Sequence, residues 1–388
     1  MGGPLGLGGG PAASSRLCCP CPSPSPLSAQ PKSNGDSRQP TYSAKRFKDL
    51  NIGPACSVTT QAWNATTLGL AAITPVQGIG SSTMMTRLLG MSYLQGIMKN
   101  KFVALARIVL LVCPTAAWAF GATNSSPALC VMTYNLRYAS PTPPDAWPER
   151  RPLMRELLQR VQPDVMGTQE GLYGQIQDLA ADLPDYEWIG TGRDGGSRGE
   201  FMAVFFRKAR LEPLAFDHFW LSDTPAVIGS TTWGNRNRRM VTWVKFRDRA
   251  TREGFFLFNT HFDHENQAAR EKSAELVRQR VAGLDTKLPV LLIGDFNAAA
   301  GSNKAYEILT GDKFFTDAWT LAGERRGEGI NTFNGFRPAQ QNGVRIDWIL
   351  TRGEVSVTQA ETLTYPPDRQ YPSDHFPVTA RLRFGPAR

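Results

Sequence analysis

Polar side chains of the kind found at metal and phosphate sites follow a long apolar run in "LPVLLIGDFN". Asp295 and Asn297 come directly after this run, with Phe296 between them. Because successive side chains of a strand point to opposite faces, Asp295 and Asn297 would face the same way while Phe296 faces the core. The spacing predicts a strand that presents two polar groups at the edge of a sheet. A simple Asx turn after the strand is the structural alternative.

Other apolar runs of the chain end in the same residue types. Carboxylates and imidazoles are costly to bury at a strand end without a purpose, so the repetition of this pattern indicates a binding or catalytic site. The endings are Asn135 in "TYN", Glu170 in "TQE", His261 in "NTH", Asp295 and Asn297 in "GDFN", Asp347 in "RID", and Asp374 and His375 in "SDH".

Strand and helix patterns, which must position these residues, alternate from about residue 127 to residue 386. Helical spacing predicts one helix that begins at Pro148 and another that ends near Gly283. Many strands with few long helices predict two packed sheets flanked by helices in one domain. The predicted strands are 129–136, 164–170, 200–208, 239–248, 254–264, 289–297, 344–351 and 375–384.

An ordered set of motifs spread over residues 132–378 resembles the endonuclease/exonuclease/phosphatase superfamily. Each motif is weak by itself, but the ordered set is specific. The resemblance implies an α/β fold, the four-layered α/β sandwich of two packed mixed β-sheets flanked by helices. It also implies Mg²⁺-dependent cleavage of a phosphoester bond. The motifs are "MTYNLR", "GTQE", "NTHFDH", "IGDFNA", "RIDWIL" and "PSDHFPV".

A cation site is implied by this resemblance at Glu170, Asn135 and Asp374, with Mg²⁺ as the metal or Mn²⁺ in its place. Glu170 is the first choice because it is a hard oxygen donor at a strand end, and Mg²⁺ takes one or two carboxylates while it keeps several waters. The alternative is that Glu170 caps the helix that starts near Leu172.

Catalytic roles are implied for the remaining strand ends. Asp295 and Asn297 would face the attacking water and the phosphoryl oxygens, one to orient or deprotonate the water and the other to donate hydrogen bonds. His375 would contact the reacting phosphate. Its carboxylate partner by resemblance is Asp347, which would fix its tautomer and raise its pKa. A His–Asp pair of this kind can also be purely structural.

His261 would donate to the phosphate or protonate the leaving oxygen. Glu200 in "GEFMAVFFR" resembles the glutamate that orients this histidine in the deoxyribonuclease branch. His264 forms an H-x-x-H pattern with His261, which allows a zinc interpretation, although a substrate contact at the rim of the pocket fits better. Arg239 lies in "WGNRNRRMVTW", a segment that could bind phosphates or stack a base, and that could equally be a polar loop.

Arg137 stands where apurinic endonucleases carry an acidic residue, which disfavours repair of duplex DNA. Charge also disfavours a polyanionic partner for the domain. Of the 43 Lys and Arg and the 34 Asp and Glu, 10 and 2 respectively lie before residue 120, so the remainder carries 33 cationic and 32 anionic residues. A nearly neutral domain indicates a small or lipid substrate, because tight polyanion binding needs many phosphate contacts.

The first part of the chain has a different composition. Residues 1–97 are rich in Gly, Pro and Ser, which predicts a disordered segment or an over-extended gene start. Residues 98–119 have two lysines, an apolar stretch and "AWA", which predicts a signal peptide that starts at Met98 and export to the periplasm or the exterior. The alternative is a cytoplasmic tail followed by a buried helix. Residues 120–126 would be a linker, and 127–386 the catalytic domain.

The function that these motifs predict is a Mg²⁺-dependent phosphodiesterase or phosphatase. One branch is a 3′–5′ exonuclease on RNA or single strands. The other is a lipid or small organophosphate hydrolase, similar to sphingomyelinases or to inositol or sugar phosphatases. A non-catalytic binding module would have lost ligand residues, and none is missing from the motifs. A monomer without a stable membrane anchor is expected.

Overall fold

The computed structural model describes residues 127–366 and 369–385. The predicted Gly/Pro/Ser-rich segment, signal peptide and linker lie outside these residues. The described residues form thirteen strands and five α-helices. In chain order they are β1 (Leu129–Asn135), α1 (Trp147–Val161), β2 (Val165–Gln169), α2 (Tyr173–Asp182), β3 (Tyr186–Ile189), β4 (Val204–Arg207), β5 (Leu211–Trp220), β6 (Met240–Asp248), β7 (Gly254–His261), α3 (Gln267–Ala282), β8 (Val290–Asp295), α4 (Lys304–Thr310), β9 (Thr316–Asp317), α5 (Ala318–Leu321), β10 (Glu324–Arg326), β11 (Asp347–Arg352), β12 (Val355–Thr362) and β13 (Val378–Phe384).

The strands form two mixed sheets. The first has seven strands in the order β10-β12-β13-β1-β2-β4-β3, and the second has six in the order β5-β6-β7-β8-β11-β9. β1 and β2 are parallel, as are β7 and β8, whereas β13 pairs with β1, and β11 with β8, in antiparallel fashion. Parallel neighbours bring the carboxyl ends of their strands to one edge of the sheet, where the polar endings of the sequence then meet.

Three apolar clusters separate four layers of secondary structure. Alternate side chains of one strand enter different clusters, as the strand period of two requires. The two sheets pack on each other through a cluster that includes Val131, Val165, Leu257, Ile293 and Val378. Helices α1 and α2 cover the seven-stranded sheet through Met132, Met154, Leu158, Met166 and Ile176. Helices α3 and α4 cover the six-stranded sheet through Val277, Leu292, Ala305, Leu309 and Trp348. The predicted four-layered sandwich is therefore confirmed.

The two predicted helices form with local start signals. Pro148 lies in the first turn of α1, where its missing N–H is not needed for the helix. The Asn266 side chain accepts a hydrogen bond from the Ala269 N–H and caps α3, which ends before Gly283. Within the described ranges, no helix is long and apolar enough to cross a membrane.

Candidate active site

Three polar residues form a row at one end of the six-stranded sheet. The strand register pairs His261 of β7 with Asp295 of β8, and Asp295 with Asp347 of β11. All three are less than 4 % exposed. Phe296 faces the other way and stacks on Trp348 with 4.2 Å between ring centroids, as the alternation of the sequence predicts. The edge of the sheet therefore presents an imidazole and a carboxylate, His261 and Asp295, to the cavity, with Asp347 behind them.

Asn135 joins this row to the other sheet. Its Nδ2 donates to Asp295 Oδ2 at 2.9 Å and to Glu170 Oε1 at 3.0 Å. Its Oδ1 accepts a hydrogen bond from the Arg137 N–H at 2.9 Å. The amide N–H groups of Asn135 therefore bridge the carboxylates of Glu170 and Asp295, and its oxygen binds a backbone N–H. The sequence predicted instead that Asn135 is a metal ligand.

His375 is held by the carboxylate that the motifs suggested. Its Nδ1 lies 3.0 Å from Asp347 Oδ2, and its backbone carbonyl accepts a hydrogen bond from the Tyr365 hydroxyl at 2.6 Å. Burial alone would lower the pKa of His375, but the Asp347 and Asp295 carboxylates raise it to about 10. At neutral pH the imidazole is therefore cationic, and its Nε2, which lies 3.7 Å from Asp295 Oδ2, can donate into the cavity.

The ionisation of Asp295 and of His261 is set mainly by burial. Burial, and after it the charge of Asp347, raises the pKa of Asp295 to about 7. Burial and the nearby Arg239 hold the pKa of His261 well below 6.5. The Asn297 side chain lies 2.9 Å from His261 Nε2 and donates to the Phe262 carbonyl oxygen, while His261 Nδ1 has no hydrogen-bond partner among the described residues. A neutral His261 is a poor acid for the leaving oxygen.

Glu170 and Asp374 approach each other at the mouth of the site. The guanidinium of Arg137 lies 3.8 Å from Glu170 Oε2 and 3.6 Å from Asp374 Oδ2. Asp374 Oδ1 is buried and has no hydrogen-bond partner among the described residues. Burial raises the pKa of Asp374, and the charge of Glu170 raises it further, whereas His375 and Arg137 oppose the shift. The unpartnered Asp374 Oδ1 is an oxygen that a bound cation could take as a ligand.

Two groups of side chains have donor atoms close enough to share one cation. In each group the donor atoms all lie within 4.8 Å of one another. The groups are Glu170, His261 and Asp295, and Asp295, Asp347 and His375. The second contains the cationic His375, so the first is the better cation site. His264 belongs to neither group, which gives the H-x-x-H zinc interpretation no support within the described part of the chain.

Glu200 does not orient His261, which corrects the prediction from the deoxyribonuclease branch. Its Oε2 accepts a hydrogen bond from Arg193 Nη1 at 2.6 Å, and burial raises its pKa although Arg193 opposes the shift. Arg193 follows β3 in the "GRDGG" turn, whose glycines bring it beside Glu200. The sequence alone gave no signal for this pairing, because the two residues are joined only by the course of a loop.

Arg239 is a buried cation near His261, at one end of the row that His261, Asp295 and Asp347 form. It is 4 % exposed, its Nη2 lies 3.1 Å from His264 Nδ1, and its Nε lies 3.7 Å from Asp263 Oδ2. Its Nε and Nη1 have no hydrogen-bond partner among the described residues. A guanidinium with free N–H groups at this position can bind the oxygens of a phosphate, as the sequence predicted for Arg239.

Most of these residues line one cavity with a volume of about 360 Å³. Glu170, Glu200, Arg239, His261, His264, Asp295, Asn297, Asp374 and His375 line it, whereas Asn135 and Asp347 lie buried behind it. The sequence did not single out Arg193, Asn237 or Phe333, which also line the cavity, or assign Tyr138 and Arg137 a place in it. Loop residues of this kind carry no periodic signal, because tertiary contacts alone position them.

Arg150 of α1 holds the backbone segments next to the site, and the sequence analysis did not predict this role. It is fully buried, and its five hydrogen bonds all go to backbone carbonyl groups. Those carbonyls lie after β1 and just before the "SDH" motif, so the side chain ties the segments that carry Asn135 and Asp374. The acceptors are the carbonyls of Leu136, Arg137, Tyr138, Asp145 and Pro372.

Comparisons with known proteins agree with this geometry. A mannosyl-6-phosphatase of Bacteroides thetaiotaomicron is 34 % identical, with a TM-score of 0.63, and the match covers 66 % of this chain and 100 % of that one. The catalytic domain of human Nocturnin with a bound sulfate anion is 20 % identical, with a TM-score of 0.53, over 67 % of this chain and 96 % of that one. The likeness to Nocturnin shows the fold alone.

Another similar protein is an uncharacterized protein of Acanthamoeba polyphaga mimivirus. It is 28 % identical over 162 residues, which are 39 % of this chain and 59 % of the viral protein, so the chain spans less than two thirds of that relative. The model of the endonuclease/exonuclease/phosphatase family matches residues 132–375, from β1 to the "SDH" motif. The chain therefore belongs to the endonuclease/exonuclease/phosphatase family and is a phosphoester hydrolase.

Proposed function

We propose that this enzyme is a Mg²⁺-dependent phosphatase that removes phosphate from small hydroxylated molecules, with hexose 6-phosphates as the model class. The observation that carries the proposal is the cavity of about 360 Å³, in which acidic, imidazole and guanidinium groups converge. This volume is in the range of small-molecule sites. The 34 % identity to a mannosyl-6-phosphatase supports the choice of a sugar phosphate.

Glu170 would hold the cation, and Asp374 would add a second carboxylate, while Asp295 stays free to act as a base. The unpartnered Asp374 Oδ1 and the nearby Arg137 guanidinium fit this role, because both indicate that positive charge is favoured between the carboxylates. When bound, a divalent cation neutralises charge on the phosphate and lowers the barrier to attack at phosphorus. Carboxylate oxygens favour Mg²⁺ over softer metals.

Asp295 is the candidate general base. A pKa of about 7 suits proton transfer near neutral pH, and both carboxylate oxygens are fixed by hydrogen bonds from Asn135 and from the Asn297 N–H. In the proposed step, the oxygen of water bonds to phosphorus, its proton passes to Asp295, and the bond between phosphorus and the sugar oxygen breaks. The leaving oxygen then takes a proton from solvent.

His375 and Arg239 are the candidate donors to the phosphate oxygens. The imidazolium of His375 is held by Asp347, and the free N–H groups of Arg239 lie near His261 on the other side of Asp295. Fixed donors of this kind stabilise charge that grows in the transition state. Asn297 and neutral His261 would then order the phosphate, and protonation of the leaving oxygen by His261 is not part of the proposal.

A 3′–5′ exonuclease remains the second candidate because two aromatic side chains are exposed at the cavity. Phe333 is 50 % exposed and Tyr138 is 38 % exposed, and rings at such positions can stack on bases. The nearly neutral charge of the domain favours the phosphatase, since single-strand binding sites track the backbone with many cations.

A substrate panel tests the proposal. The full chain is assayed with mannose 6-phosphate, bis-p-nitrophenyl phosphate, single-stranded RNA and sphingomyelin, with Mg²⁺, with a chelator, and with metals added back. We expect the kcat/KM for mannose 6-phosphate to exceed that for the diester by more than about tenfold. Chelation should abolish activity and Mg²⁺ should restore it. A preference for RNA would favour the exonuclease, and restoration by Zn²⁺ alone would contradict the metal assignment.

We also propose export through the apolar segment that follows Met98, supported by its two lysines and the "AWA" site. N-terminal sequencing of protein recovered outside the cytoplasm tests this. A mature chain that begins near residue 120 is the expected result, and a mature chain that retains residues before Met98 would contradict it.

A further inference from the structure

We propose that two loops beside the cavity form a subsite for the leaving group, in which Glu200, Arg193 and Asn237 bind the hydroxyl groups of a neutral polyol. The loops are residues 191–200 and 229–238, called here the clasped loops. The proposal rests on the proposed phosphatase function and adds to it the residues that would select the molecule attached to the phosphate.

The first loop places its two charged residues side by side. The Arg193 N–H donates to the Glu200 carbonyl at 2.9 Å, and the Arg193 carbonyl accepts from the Trp220 indole N–H at 2.7 Å. The two side chains then pair at 2.6 Å, and both line the cavity. A carboxylate has two oxygens with about four acceptor positions, so Glu200 can accept a further hydroxyl group while it binds Arg193.

The second loop contacts the first through a hydrogen bond and an ion pair. Arg193 Nη2 lies 3.5 Å from Asn237 Oδ1, and Arg238 Nη1 lies 3.2 Å from Asp194 Oδ1. Arg238 Nε also donates to the Gly229 carbonyl at 2.8 Å within its own loop. These contacts fix Asn237 beside the Arg193–Glu200 pair, so the wall offers a carboxylate, a guanidinium and an amide within one small area.

The charge of this wall decides the class of ligand. Arg193 is balanced by Glu200, Arg238 by Asp194, and Arg239 by Asp263 at 3.7 Å. The clasped loops also contain Arg198 and Arg236, but neither residue lines the cavity. A second phosphate inside the cavity would therefore meet no uncompensated cation on this wall. Hydroxyl groups both donate and accept, and a neutral wall of mixed donors and acceptors suits them. The geometry points to a sugar or another polyol.

The test compares two esters in the full chain with Mg²⁺. The first is mannose 6-phosphate, and the second is cyclohexylmethyl phosphate, which has a similar six-membered ring but no hydroxyl groups. The variant Glu200→Gln keeps the size of the side chain and removes its charge. We expect the ratio of kcat/KM for the sugar ester over the plain ester to fall by about ten- to a hundredfold, mainly through a higher KM for the sugar ester.

The matched control is Glu149→Gln, the same chemical change at an exposed residue of α1 that does not line the cavity, and it should leave the ratio unchanged. An unchanged ratio in Glu200→Gln, or an equal fall for both esters, would overturn the subsite while the phosphatase function stands. If the wild type hydrolyses neither ester, the phosphatase function fails and the subsite fails with it.

A measurement on the wild type tests the subsite even if the Glu200→Gln variant does not fold. The wild type should hydrolyse mannose 6-phosphate with a kcat/KM at least about tenfold above that for cyclohexylmethyl phosphate. Equal values for the two esters would overturn the proposal without any variant, because no hydroxyl group would then be recognised.

Discussion

The two walls of the cavity are built in different ways. The catalytic wall consists of strand ends, where the register of β7, β8 and β11 fixes His261, Asp295 and Asp347 in one row. The other wall consists of the clasped loops, which are held by turns and ion pairs such as Arg193–Glu200. The groups that we propose to react are thus carried by strand ends, and the groups that we propose to select the substrate are carried by loops.

This difference indicates how one scaffold can accept new substrates. A change in a loop alters few buried contacts, whereas a change at a strand end disturbs two packed sheets. The catalytic wall should therefore respond to substitution with a loss of all activity or of stability. The clasped loops should respond with a change in substrate preference. The predictions below follow from this contrast, in order of decreasing effect.

The largest effect is expected at Glu170. Glu170→Gln removes a charged oxygen from the cation site, so kcat/KM should fall by more than about a thousandfold for every substrate. Mg²⁺ binding measured by calorimetry should weaken in parallel. The exposed Glu149→Gln on α1 is the matched control and should keep both activity and Mg²⁺ binding. Full activity in Glu170→Gln would refute the cation site.

A large effect on stability is expected at Arg150. Arg150→Met removes hydrogen bonds to five backbone carbonyl groups, of which those to Leu136 and Pro372 are buried, so the free energy of unfolding should fall by about 3–5 kcal/mol. The neighbouring Arg151 forms ion pairs with Asp178 and Asp182 at the surface, so Arg151→Met should cost about 1 kcal/mol or less. Urea unfolding of both variants measures the difference, and similar losses would show that Arg150 does not tie the catalytic wall together.

A moderate effect is expected from a change of backbone in the clasped loops. Gly199 has φ +76°, and a Cβ at this position would lie 2.7 Å from Asp194 Oδ2. Gly199→Ala should lower the free energy of unfolding by about 1–2 kcal/mol and reduce the preference for the sugar ester. Gly301 has φ +81° with open space around it, so Gly301→Ala tests the strain alone. If Gly199→Ala and Gly301→Ala have the same substrate preference, the clasped loops do not determine which ester the enzyme prefers.

The smallest effect on activity is expected at His218 of β5, which belongs to neither wall and affects only the pH dependence of stability. Burial lowers its pKa to about 4, and its Nδ1 lies 3.0 Å from the Thr242 hydroxyl. The unfolded state, with a pKa near 6.5, binds more protons between pH 4 and 6.5, so stability should fall as pH decreases through this window. His218→Gln should remove about 2 kcal/mol of this pH dependence between pH 7.5 and pH 5. Urea unfolding at pH 7.5 and at pH 5 measures it, and identical pH dependence in both proteins would contradict the assignment.

The sequence predicted the catalytic wall better than the loops, and the reason is physical. An apolar run such as the one before Asp295 indicates a buried strand, and the polar residues that follow it indicate where the strand ends. Glu200 was assigned to His261 by resemblance, but Arg193 binds it instead because a glycine-rich turn brings the two together. No local pattern encodes such a contact.

Several strands lacked a clear signal for the same reason. β5 contains Pro213 and a register shift next to it, at the edge of its sheet, where pairing needs no regular alternation. β12 has the sequence "VSVTQAET", which is largely polar, and it pairs with β13 and β10 in the sheet. β3, β9 and β10 are only two to four residues long. Such strands form because the core supplies a partner, so tertiary contacts determine them.

Parallel kinetics of Glu170→Gln and Glu200→Gln test the central claim most directly. The kcat/KM for mannose 6-phosphate and for cyclohexylmethyl phosphate is measured for each variant and for the wild type. The division between a reacting wall and a selecting wall predicts that Glu170→Gln lowers both values alike, whereas Glu200→Gln lowers the sugar ester far more than the plain ester. The same pattern of loss in both variants would contradict it.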